Sequence, residues 1–445
     1  MTSSNKVCII GAGASGLSAA RQIIKINNET ALTARKFIPV IFEKNDAVGG
    51  TWIYTDENSE QQHSSMYKNL YTNLPKECMA FPDYPFQPSS NSYLHHTEVR
   101  RYLENYTHHF NLESCIKFRT EVLLVKPVKQ NAIKSNLVSN GRHERWLVTS
   151  KSLDTGKTET NEFVGVVVAN GHYSVPYYPD ILGLRNNFKG TVLHSHTYRE
   201  PDFFKNKTIL VLGASNSGQD IGMEIAEVAE SVILSSNNPP LSSPLPENLT
   251  QELGISQCNG PNSFIMKNKK QIKNVDVLLL CTGYNYEYPF LHESCNILVQ
   301  HRMMINPLYK HVININYPSM CFIGTCSTIN PFPQFNLQAQ LYVRHLAGLI
   351  DLPSKEEMME ELGNELERLK NEGKPLRHFH KLGMNQFAYN KDIASIANVD
   401  DVPSYVESLF YSVVQRRFED VMNYKKDKYT WTGNEYEIIE KKCLL

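Results

Sequence analysis

Two glycine-rich turns, each directly after a short apolar run, constrain the fold of this chain more than any other feature. The first, Gly11-Ala-Gly-Ala-Ser-Gly16, follows residues 7–10, and the second, Gly213-Ala-Ser-Asn-Ser-Gly218, follows residues 208–212. Each turn is followed by apolar residues at helical spacing and then by another apolar run. This order predicts two strand–helix–strand units of the kind that bind dinucleotides.

In the first unit, each glycine has a separate geometric task. Gly11 permits the tight turn, Gly13 lets the backbone approach a pyrophosphate, and Gly16 lets the helix pack closely on the strand. The free N–H groups of the helix N-terminus, predicted near residue 15, then face the phosphates. The alternative is a glycine-rich turn without a ligand. The predicted binding residues here are Gly11, Gly13, Ala14, Ser15 and Gly16.

The second strand of this unit, residues 39–43, ends in Glu43, whose carboxylate can accept hydrogen bonds from both ribose hydroxyls of an adenosine. The polar residues 27–36 are predicted to be an insertion in the loop before this strand. Gly49-Gly-Thr-Trp52 follows at once, where two glycines let the backbone lie against a flat or charged group. This segment adds Gly50, Thr51 and Trp52 to the predicted binding residues.

The second unit departs from the first at two points. Ser215 stands where the middle glycine would be, and the strand over residues 231–235 ends in Ser-Ser-Asn-Asn without an acid. A carboxylate there would repel a ribose 2′-phosphate, so its absence permits NADPH, although no Arg stands nearby either. Serine hydroxyls are then the candidate donors. The predicted binding residues of this unit are Ser215, Asn216, Ser217, Gly218, Ser235 and Ser236.

Composition excludes several other classes of protein. The 445 residues carry a formal net charge of −1, which gives no electrostatic case for nucleic acid or an anionic membrane surface. The nine cysteines form no Cys-x-x-Cys pair, and the histidines lack a completing ligand set, so no metal site is predicted. No apolar run reaches the ~18 residues of a membrane span. We expect a cytoplasmic protein, or a secreted one only if a signal peptide precedes this numbering.

Further apolar strands at residues 163–169, 276–280 and 320–324 complete the predicted architecture. Two dinucleotide-binding units need two nucleotides, and the common solution is a flavin, FAD, in the first and a nicotinamide, NADP, in the second. The sequence therefore predicts an α/β fold with two Rossmann-like dinucleotide-binding domains, the NADP domain being inserted into the FAD domain. The predicted boundaries are 1–174 for the first part of the FAD domain, 175–280 for the NADP domain, and 281–445 for the second part of the FAD domain.

Four short motifs show a family resemblance. Phe188, Gly190, His194 and Tyr198 match the pattern Phe-x-Gly-x-x-x-His-x-x-x-Tyr/Phe, and the segments 49–52, 282–284 and 72–77 match three further motifs. The whole chain resembles the flavin-containing monooxygenases, which are class B flavoprotein monooxygenases. It looks most like insect members such as the pyrrolizidine-alkaloid N-oxygenases.

The resemblance implies FAD and NADPH as cofactors. It also implies oxygenation of a soft nitrogen or sulfur nucleophile by O2 through a C4a-hydroperoxyflavin, with a small amine, alkaloid or sulfide as substrate. Asn73 would be the active-site amide that protects this species, and His194 would link nicotinamide binding to flavin geometry. Further cofactor contacts are implied at Thr72, Asn73, Val122 and Gln338.

Two alternatives remain open at this point. The motif at residues 188–198 is called the fingerprint below. A Baeyer–Villiger monooxygenase, which oxygenates ketones, shares both nucleotide units but has Trp at the last position of the fingerprint, where this chain has Tyr198. A non-catalytic flavin- and nicotinamide-binding protein would keep both turns and lack the reaction. A homo-oligomer is compatible with either.

Overall fold

The protein was analysed as a computed structural model, which describes residues 5–29, 36–56, 64–88, 91–128, 144–433 and 436–440. Its helices within these ranges are α1 (Ala14–Glu29), α2 (Lys76–Met79), α3 (His96–His109), α4 (Leu184–Asn187), α5 (Asn216–Ala226), α6 (Pro331–Leu346), α7 (Lys355–Asn371), α8 (Gln386–Ala397) and α9 (Ser404–Glu419). Its strands are β1 (Lys6–Ile10), β2 (Ile38–Phe42), β3 (Ile116–Lys117), β4 (Thr120–Pro127), β5 (Trp146–Ser152), β6 (Thr158–Phe163), β7 (Gly165–Val168), β8 (Val175–Pro176), β9 (Thr191–His194), β10 (Thr208–Leu212), β11 (Ser231–Ser236), β12 (Leu249–Leu253), β13 (Ile255–Gly260), β14 (Ser263–Met266), β15 (Gln271–Ile272), β16 (Val277–Leu280), β17 (Tyr284–Asn285), β18 (Leu298–Gln300), β19 (Met304–Asn306), β20 (Leu308–Tyr309), β21 (Ile313–Asn314), β22 (Met320–Phe322), β23 (Lys428–Trp431) and β24 (Tyr436–Glu440).

The larger sheet has seven strands in the order β20-β21-β22-β7-β1-β2-β3. Its central pairs are parallel, with Ile10 opposite both Phe42 of β2 and Val168 of β7. Strands β7 and β22 are buried along their whole length, which is why they are continuous apolar runs rather than alternating ones. Beyond β7 the sheet continues with β22, which is parallel to β7, and then with β21 and β20, which are antiparallel. These three strands lie between residues 308 and 322, so the sheet is built from two segments of the sequence on either side of the smaller sheet.

The smaller sheet has five parallel strands in the order β12-β11-β10-β16-β9. All of them lie between residues 191 and 280. Residues Ile209–Leu212 of β10 pair in register with both β11 and β16, which places the second glycine turn at the centre of the sheet edge. The predicted fold class, α/β with one Rossmann-like unit inserted into another, is confirmed.

The chain passes between the two sheets twice, and the two crossings are bonded to each other. Strands β8 and β17 pair antiparallel, with Pro176 opposite Tyr284. The backbone N–H of Tyr177 donates to the carbonyl of Gly283 at 2.9 Å, and the hydroxyl of Thr282 donates to the carbonyl of Tyr177. The outgoing and returning segments therefore form one two-stranded connection. The exact domain boundaries stay a prediction.

Several element bounds differ from the sequence-based expectation. Helix α1 continues to Glu29, into the predicted insertion, because the Asn27 amide bonds both backbone groups of Phe37 at 2.7 and 2.8 Å and ties the helix end to the next strand. The predicted insertion therefore begins later, and residues 30–35 of it lie outside the described residues. Strand β6 and helix α8 were not predicted. Helix α7 begins at a capping box, in which Ser354 is the N-cap residue.

Candidate functional site

The first glycine turn is closed so tightly that side chains cannot enter it. Gly11 has φ +104°, and a Cβ there would lie 2.5 Å from the carbonyl oxygen of Ala169. A Cβ on Gly16 would lie 1.9 Å from the carbonyl oxygen of Gly11. Gly13, in contrast, faces Gly50, whose Cα would be 3.5 Å from an added Cβ. At Gly13 the turn therefore faces the second glycine segment at van der Waals distance.

That second segment packs directly against the turn. The N–H of Gly49 donates to the carbonyl of Ala12 at 3.1 Å, and Gly50 begins a short 3-10 helix that ends at Trp52. Both glycines have positive φ, 132° and 55°. Thr51 is exposed, with its hydroxyl 3.3 Å from that of Ser65. The two predicted glycine motifs thus form one backbone-lined cradle.

Glu43 lies at the rim of this cradle, where β2 ends. Its carboxylate accepts from the N–H of Ala12 at 2.6 Å and from the N–H of Asn45 at 2.8 Å. Burial raises the pKa of this carboxyl, and the backbone N–H donors oppose that rise. Each carboxylate oxygen can still accept a second hydrogen bond. Glu43 therefore fixes the turn and remains a candidate acceptor for a ribose.

Val122 lies beside the Glu43 end of β2. It is buried in β4, packs in the same apolar cluster as Phe42, and stands at a register shift in the β4–β5 pairing. The N–H of Thr120 donates to the carbonyl of Glu43 at 2.8 Å, which joins the two strands at this point. The structure thus brings Val122 to the same corner as Glu43.

Two neighbouring residues after position 70, Thr72 and Asn73, differ in whether their side chains are already hydrogen-bonded. Thr72 is buried, and its N–H and its hydroxyl bond the backbone carbonyl and N–H of Leu94 at 2.9 and 3.0 Å. Asn73 is only half-buried. In the part of the chain that the structure describes, its amide has no hydrogen-bond partner. Thr72 therefore anchors the loop, and the Asn73 amide is free to meet a ligand.

Gln338 in α6 is fully buried, which limits how it can reach a cofactor. Its Oε1 accepts from the N–H of Gly324 at 3.1 Å, and its Nε2 donates to the hydroxyl of Tyr389 at 2.9 Å. Gly324 follows β22 and faces Ser15 in α1, with 3.6 Å from an added Cβ to the Ser15 Cβ. Gln338 thus acts on the first turn through Gly324, and its predicted direct contact stays a prediction.

The second glycine turn repeats the first in its backbone. Gly213 has φ +111°, and a Cβ there would lie 2.3 Å from the carbonyl oxygen of Cys281. A Cβ on Gly218 would lie 1.7 Å from the carbonyl oxygen of Gly213. Beyond the glycines, the predicted residues at the start of α5 are all exposed, and they are Ser215, Asn216 and Ser217.

At the end of β11, one predicted donor is not available. Ser235 is fully buried, and its hydroxyl donates to the carbonyl of Leu253 at 2.9 Å, so this hydroxyl cannot also donate to a phosphate outside the sheet. The neighbouring Ser236 is half-buried, and its hydroxyl accepts from the N–H of Asn238 at 2.9 Å. The hydroxyl of Ser235 therefore holds β12, and that of Ser236 is the more available donor. Cofactor binding by Ser235 and Ser236 stays a prediction.

The fingerprint histidine connects two motifs at the crossing. His194 Nδ1 accepts from the N–H of His196 at 3.0 Å, so Nε2 carries the proton and donates to the carbonyl of Gly283 at 3.1 Å. Burial lowers the pKa of His194 to about 4, which keeps the ring neutral. Tyr198, in contrast, is buried in the core of the smaller sheet against Tyr67. The motif therefore positions the crossing rather than reacting.

Arg199, which the sequence reasoning did not single out, bonds the crossing to the first unit. Its guanidinium donates to the carbonyls of Thr55 at 2.7 Å and Ser64 at 3.1 Å, and to those of His196 and Tyr198 at 3.0 and 2.8 Å. Its position directly after the fingerprint was the available signal. One planar cation thus joins the fingerprint to the segment that follows Trp52.

A second arginine was missed because its sequence position gave no signal. Arg417 lies in α9, about 200 residues from the second glycine turn, yet it donates to the side chains of Asn216 and Gln219 at 2.6 Å each. The sequence search for a cation near residue 237 could not find it.

These features fit two nucleotides. Each turn has a backbone cradle that a Cβ would fill, followed by the N-terminus of a helix, and only the first has a carboxylate for an unphosphorylated ribose. Among the described residues, no group of three His, Cys, Asp or Glu could hold a metal. Within the same ranges, every helix is too short or too polar to cross a membrane.

Comparison with known proteins agrees with this geometry. The family model described as flavin-binding monooxygenase-like matches residues 4–241 and 255–412. A flavin-containing monooxygenase from Arabidopsis thaliana, FMO GS-OX-like 2, is 34% identical over 447 residues, covering 95% of this chain and 91% of the relative.

Two solved structures are also similar. S-allyl-L-cysteine S-oxygenase from Allium sativum has a TM-score of 0.84 at 32% identity, with 94% of each chain covered. Tmm from Pelagibacter sp. strain HTCC7211 has a TM-score of 0.81 at 26% identity, covering 97% of this chain and 95% of that chain. The chain therefore belongs to the flavin-binding monooxygenase-like family and is a flavin monooxygenase that uses FAD and NADPH.

Proposed function

We propose that this enzyme oxygenates the thioether sulfur of a small molecule. Support comes from the similarity to a structure named as an S-allyl-L-cysteine S-oxygenase, which extends over 94% of both chains. A tertiary amine or alkaloid nitrogen is the second candidate, because residues 188–198 match a motif of the whole family, which includes members that oxygenate amines as well as sulfides. Both atoms are soft nucleophiles.

The first glycine turn, with the segment 49–52 and Glu43, is proposed to hold FAD. The second turn is proposed to hold NADPH. Support comes from the carboxylate: Glu43 suits an unphosphorylated ribose, while the described residues at the end of β11 carry no acid that would repel a 2′-phosphate. We also propose the domain boundaries 174/175 and 280/281, because the crossings β8 and β17 lie close to them.

Bound FAD, reduced by NADPH, would supply the activation of O2. The chain would then need only to orient the cofactors, exclude water and leave the substrate atom accessible. Asn73 is the proposed catalytic residue because its amide is unpaired in the described structure and can hydrogen-bond the reacting region. Thr72 would support it by fixing the loop on Leu94.

The deciding experiment supplies purified enzyme with FAD, NADPH, O2 and one substrate at a time: an S-alkyl cysteine, a tertiary amine or a cyclic ketone. Mass spectrometry would detect the product with one added oxygen. We expect sulfoxide as the fastest product and N-oxide as the second. Oxygenation of the ketone alone would support Baeyer–Villiger activity. A protein that consumes no NADPH and forms no product from any substrate would support a non-catalytic role.

Asn73→Ala tests the catalytic assignment. The variant should keep FAD and consume NADPH, but form at least about 10-fold less product and correspondingly more hydrogen peroxide, since removing one hydrogen-bond donor to a reacting group costs roughly 10²- to 10³-fold. Oxygen-electrode and peroxide assays measure the split. Asn371→Ala, at the exposed end of α7, is the control. Product yield at the wild-type level would remove Asn73 from the mechanism.

A further inference from the structure

We propose that Arg417 binds the pyrophosphate of the nicotinamide dinucleotide, so that the NADPH site is composed of two distant parts of the chain. The inference rests on the proposed assignment of the second glycine turn to NADPH. It adds a binding residue from α9, outside the inserted unit. It also supplies the cation that the sequence of that unit lacks.

The guanidinium of Arg417 is directed at the first turn of α5 but is not neutralised there. Its Nη1 donates to Oδ1 of Asn216 and its Nη2 to Oε1 of Gln219, both at 2.6 Å, and both acceptors are uncharged. Within the described ranges, no carboxylate lies at ion-pair distance from Arg417. The cation is held in place, and its charge remains available.

The adjacent arginine shows what a structural arginine looks like in the same helix. Arg416 is buried and bonds Asp427 at 2.7 Å and Asp420 at 3.3 Å. Its charge is therefore balanced by two carboxylates within the C-terminal region. The two neighbours therefore differ in role: Arg416 stabilises the fold of this region, while Arg417 projects its charge onto another unit.

The nearby acidic groups of α5 are already occupied. Asp220 pairs with Lys425 at 2.8 Å, and Glu224 accepts from the amide of Asn69 at 2.7 Å. Lys425 also donates to the carbonyl of Tyr71, two residues before Asn73. Among the described residues around this turn, Arg417 has no carboxylate at ion-pair distance, and its guanidinium carbon lies 5.6 Å from the centroid of the Tyr424 ring.

The position of Arg417 is electrostatically unfavourable without a ligand. The N-terminus of a helix carries a partial positive charge, so a cation beside the first turn of α5 is repelled, typically by about 0.3–1 kcal/mol. An anion between the two is attracted by both. Phosphate is the anion that a planar guanidinium and helix N–H groups recognise together.

The location favours the pyrophosphate over the 2′-phosphate. Arg417 bonds residues at the start of α5, where the glycine turn presents its backbone, whereas a 2′-phosphate would lie at the end of β11 near Ser236. The pyrophosphate is common to NADPH and NADH. A loss of Arg417 should therefore weaken both cofactors by a similar factor.

The test measures the dissociation constants of NADP⁺ and NAD⁺ for the FAD-loaded wild-type enzyme and for Arg417→Ala and Arg417→Gln. We expect about 10- to 100-fold weaker binding of both nucleotides in both variants, as for loss of a charge-assisted hydrogen bond. Arg417→Lys should recover part of the affinity. FAD content and the reoxidation rate of dithionite-reduced enzyme should stay unchanged.

Arg368→Ala is the matched control, because this arginine lies on the exposed face of α7 and pairs with Glu372. Wild-type affinity for both nucleotides in Arg417→Gln would overturn the inference. Weakening of NADP⁺ alone would overturn the pyrophosphate assignment. If NADPH failed to reduce the flavin of the wild-type enzyme, the proposed function itself would be overturned. That outcome is distinguishable from a loss of affinity in the Arg417 variants alone.

Discussion

The two glycine turns have nearly the same backbone and very different surroundings. In both, the last glycine of the turn packs its α-carbon against the carbonyl of the first, leaving less than 2 Å for a Cβ. The first turn is enclosed by Gly49, Gly50 and the buried carboxylate of Glu43. The second contains three exposed residues, 215–217, and meets an arginine from another region of the chain.

This difference shows what a glycine motif specifies and what it leaves open. The motif specifies the path of the backbone, because only glycine fits those positions. The affinity and identity of the ligand depend on side chains that the motif does not contain. In the first unit they come from within about 40 residues, whereas in the second one comes from the far end of the chain.

The strongest test of the comparison replaces the equivalent glycines. Gly16→Ala places a Cβ 1.9 Å from the Gly11 carbonyl, and Gly218→Ala places one 1.7 Å from the Gly213 carbonyl. We expect Gly16→Ala to lose FAD and the native fold of the first unit. Gly218→Ala should stay yellow but lose reduction by NADPH. Flavin absorbance measures the bound FAD of each variant, and stopped-flow absorbance measures its reduction by NADPH. Equal loss of FAD in both variants would contradict the view that the two turns bind their nucleotides independently.

Glu43→Gln tests whether the carboxylate of the first unit is essential. The amide would present a donor toward either Ala12 or Asn45, where two N–H groups now point at oxygens. We expect FAD affinity to fall about 10- to 100-fold, because a buried charged acceptor is lost. Apoenzyme titration with FAD measures this. Glu121→Gln, an exposed carboxylate in β4 that pairs with Lys44, should leave FAD affinity unchanged.

Arg199→Ala tests the connection between the units. The variant leaves at least four backbone carbonyls without their donor, including those of Thr55 and Ser64. We expect FAD to remain bound, reduction by NADPH to slow about 10-fold, and stability to fall by about 1–3 kcal/mol. Arg199→Lys should restore the stability more fully than the rate of flavin reduction by NADPH. The lysine ammonium cannot reproduce the planar arrangement of N–H donors of the guanidinium. A wild-type reduction rate in Arg199→Ala would show that the units align without it.

The smallest expected effect is a pH dependence at the crossing. The pKa of His194 falls from 6.5 to about 4 in the folded protein, so the unfolded chain binds more protons between these values. Its contribution to stability is complete above pH 6.5 and is lost as the pH falls toward 4, by about 1–3 kcal/mol. His194→Asn should therefore show a shallower decline in Tm between pH 7 and 5. Parallel declines would contradict this.

Sequence reasoning recovered what is local. The strand at residues 208–212, both glycine turns and Glu43 follow from short patterns of apolar residues, glycine and a terminal acid. Strand β6 was missed because its residues Thr158–Glu162 are mostly exposed and polar, so no apolar run marks it. The bond of the Ser235 hydroxyl to β12 could not be predicted, because it depends on which strand pairs with β11. Arg417 was missed because only the folded chain brings it near α5.

The pairing of β8 with β17 has a consequence for how such a protein could be recombined. Because the chain leaves and re-enters the larger sheet through two hydrogen-bonded segments, the inserted unit resembles a cassette with both ends at one joint. A graft of residues 177–283 from a relative would preserve that joint. It would not carry Arg417, so a chimera would inherit the donor's backbone cradle together with the recipient's phosphate cation.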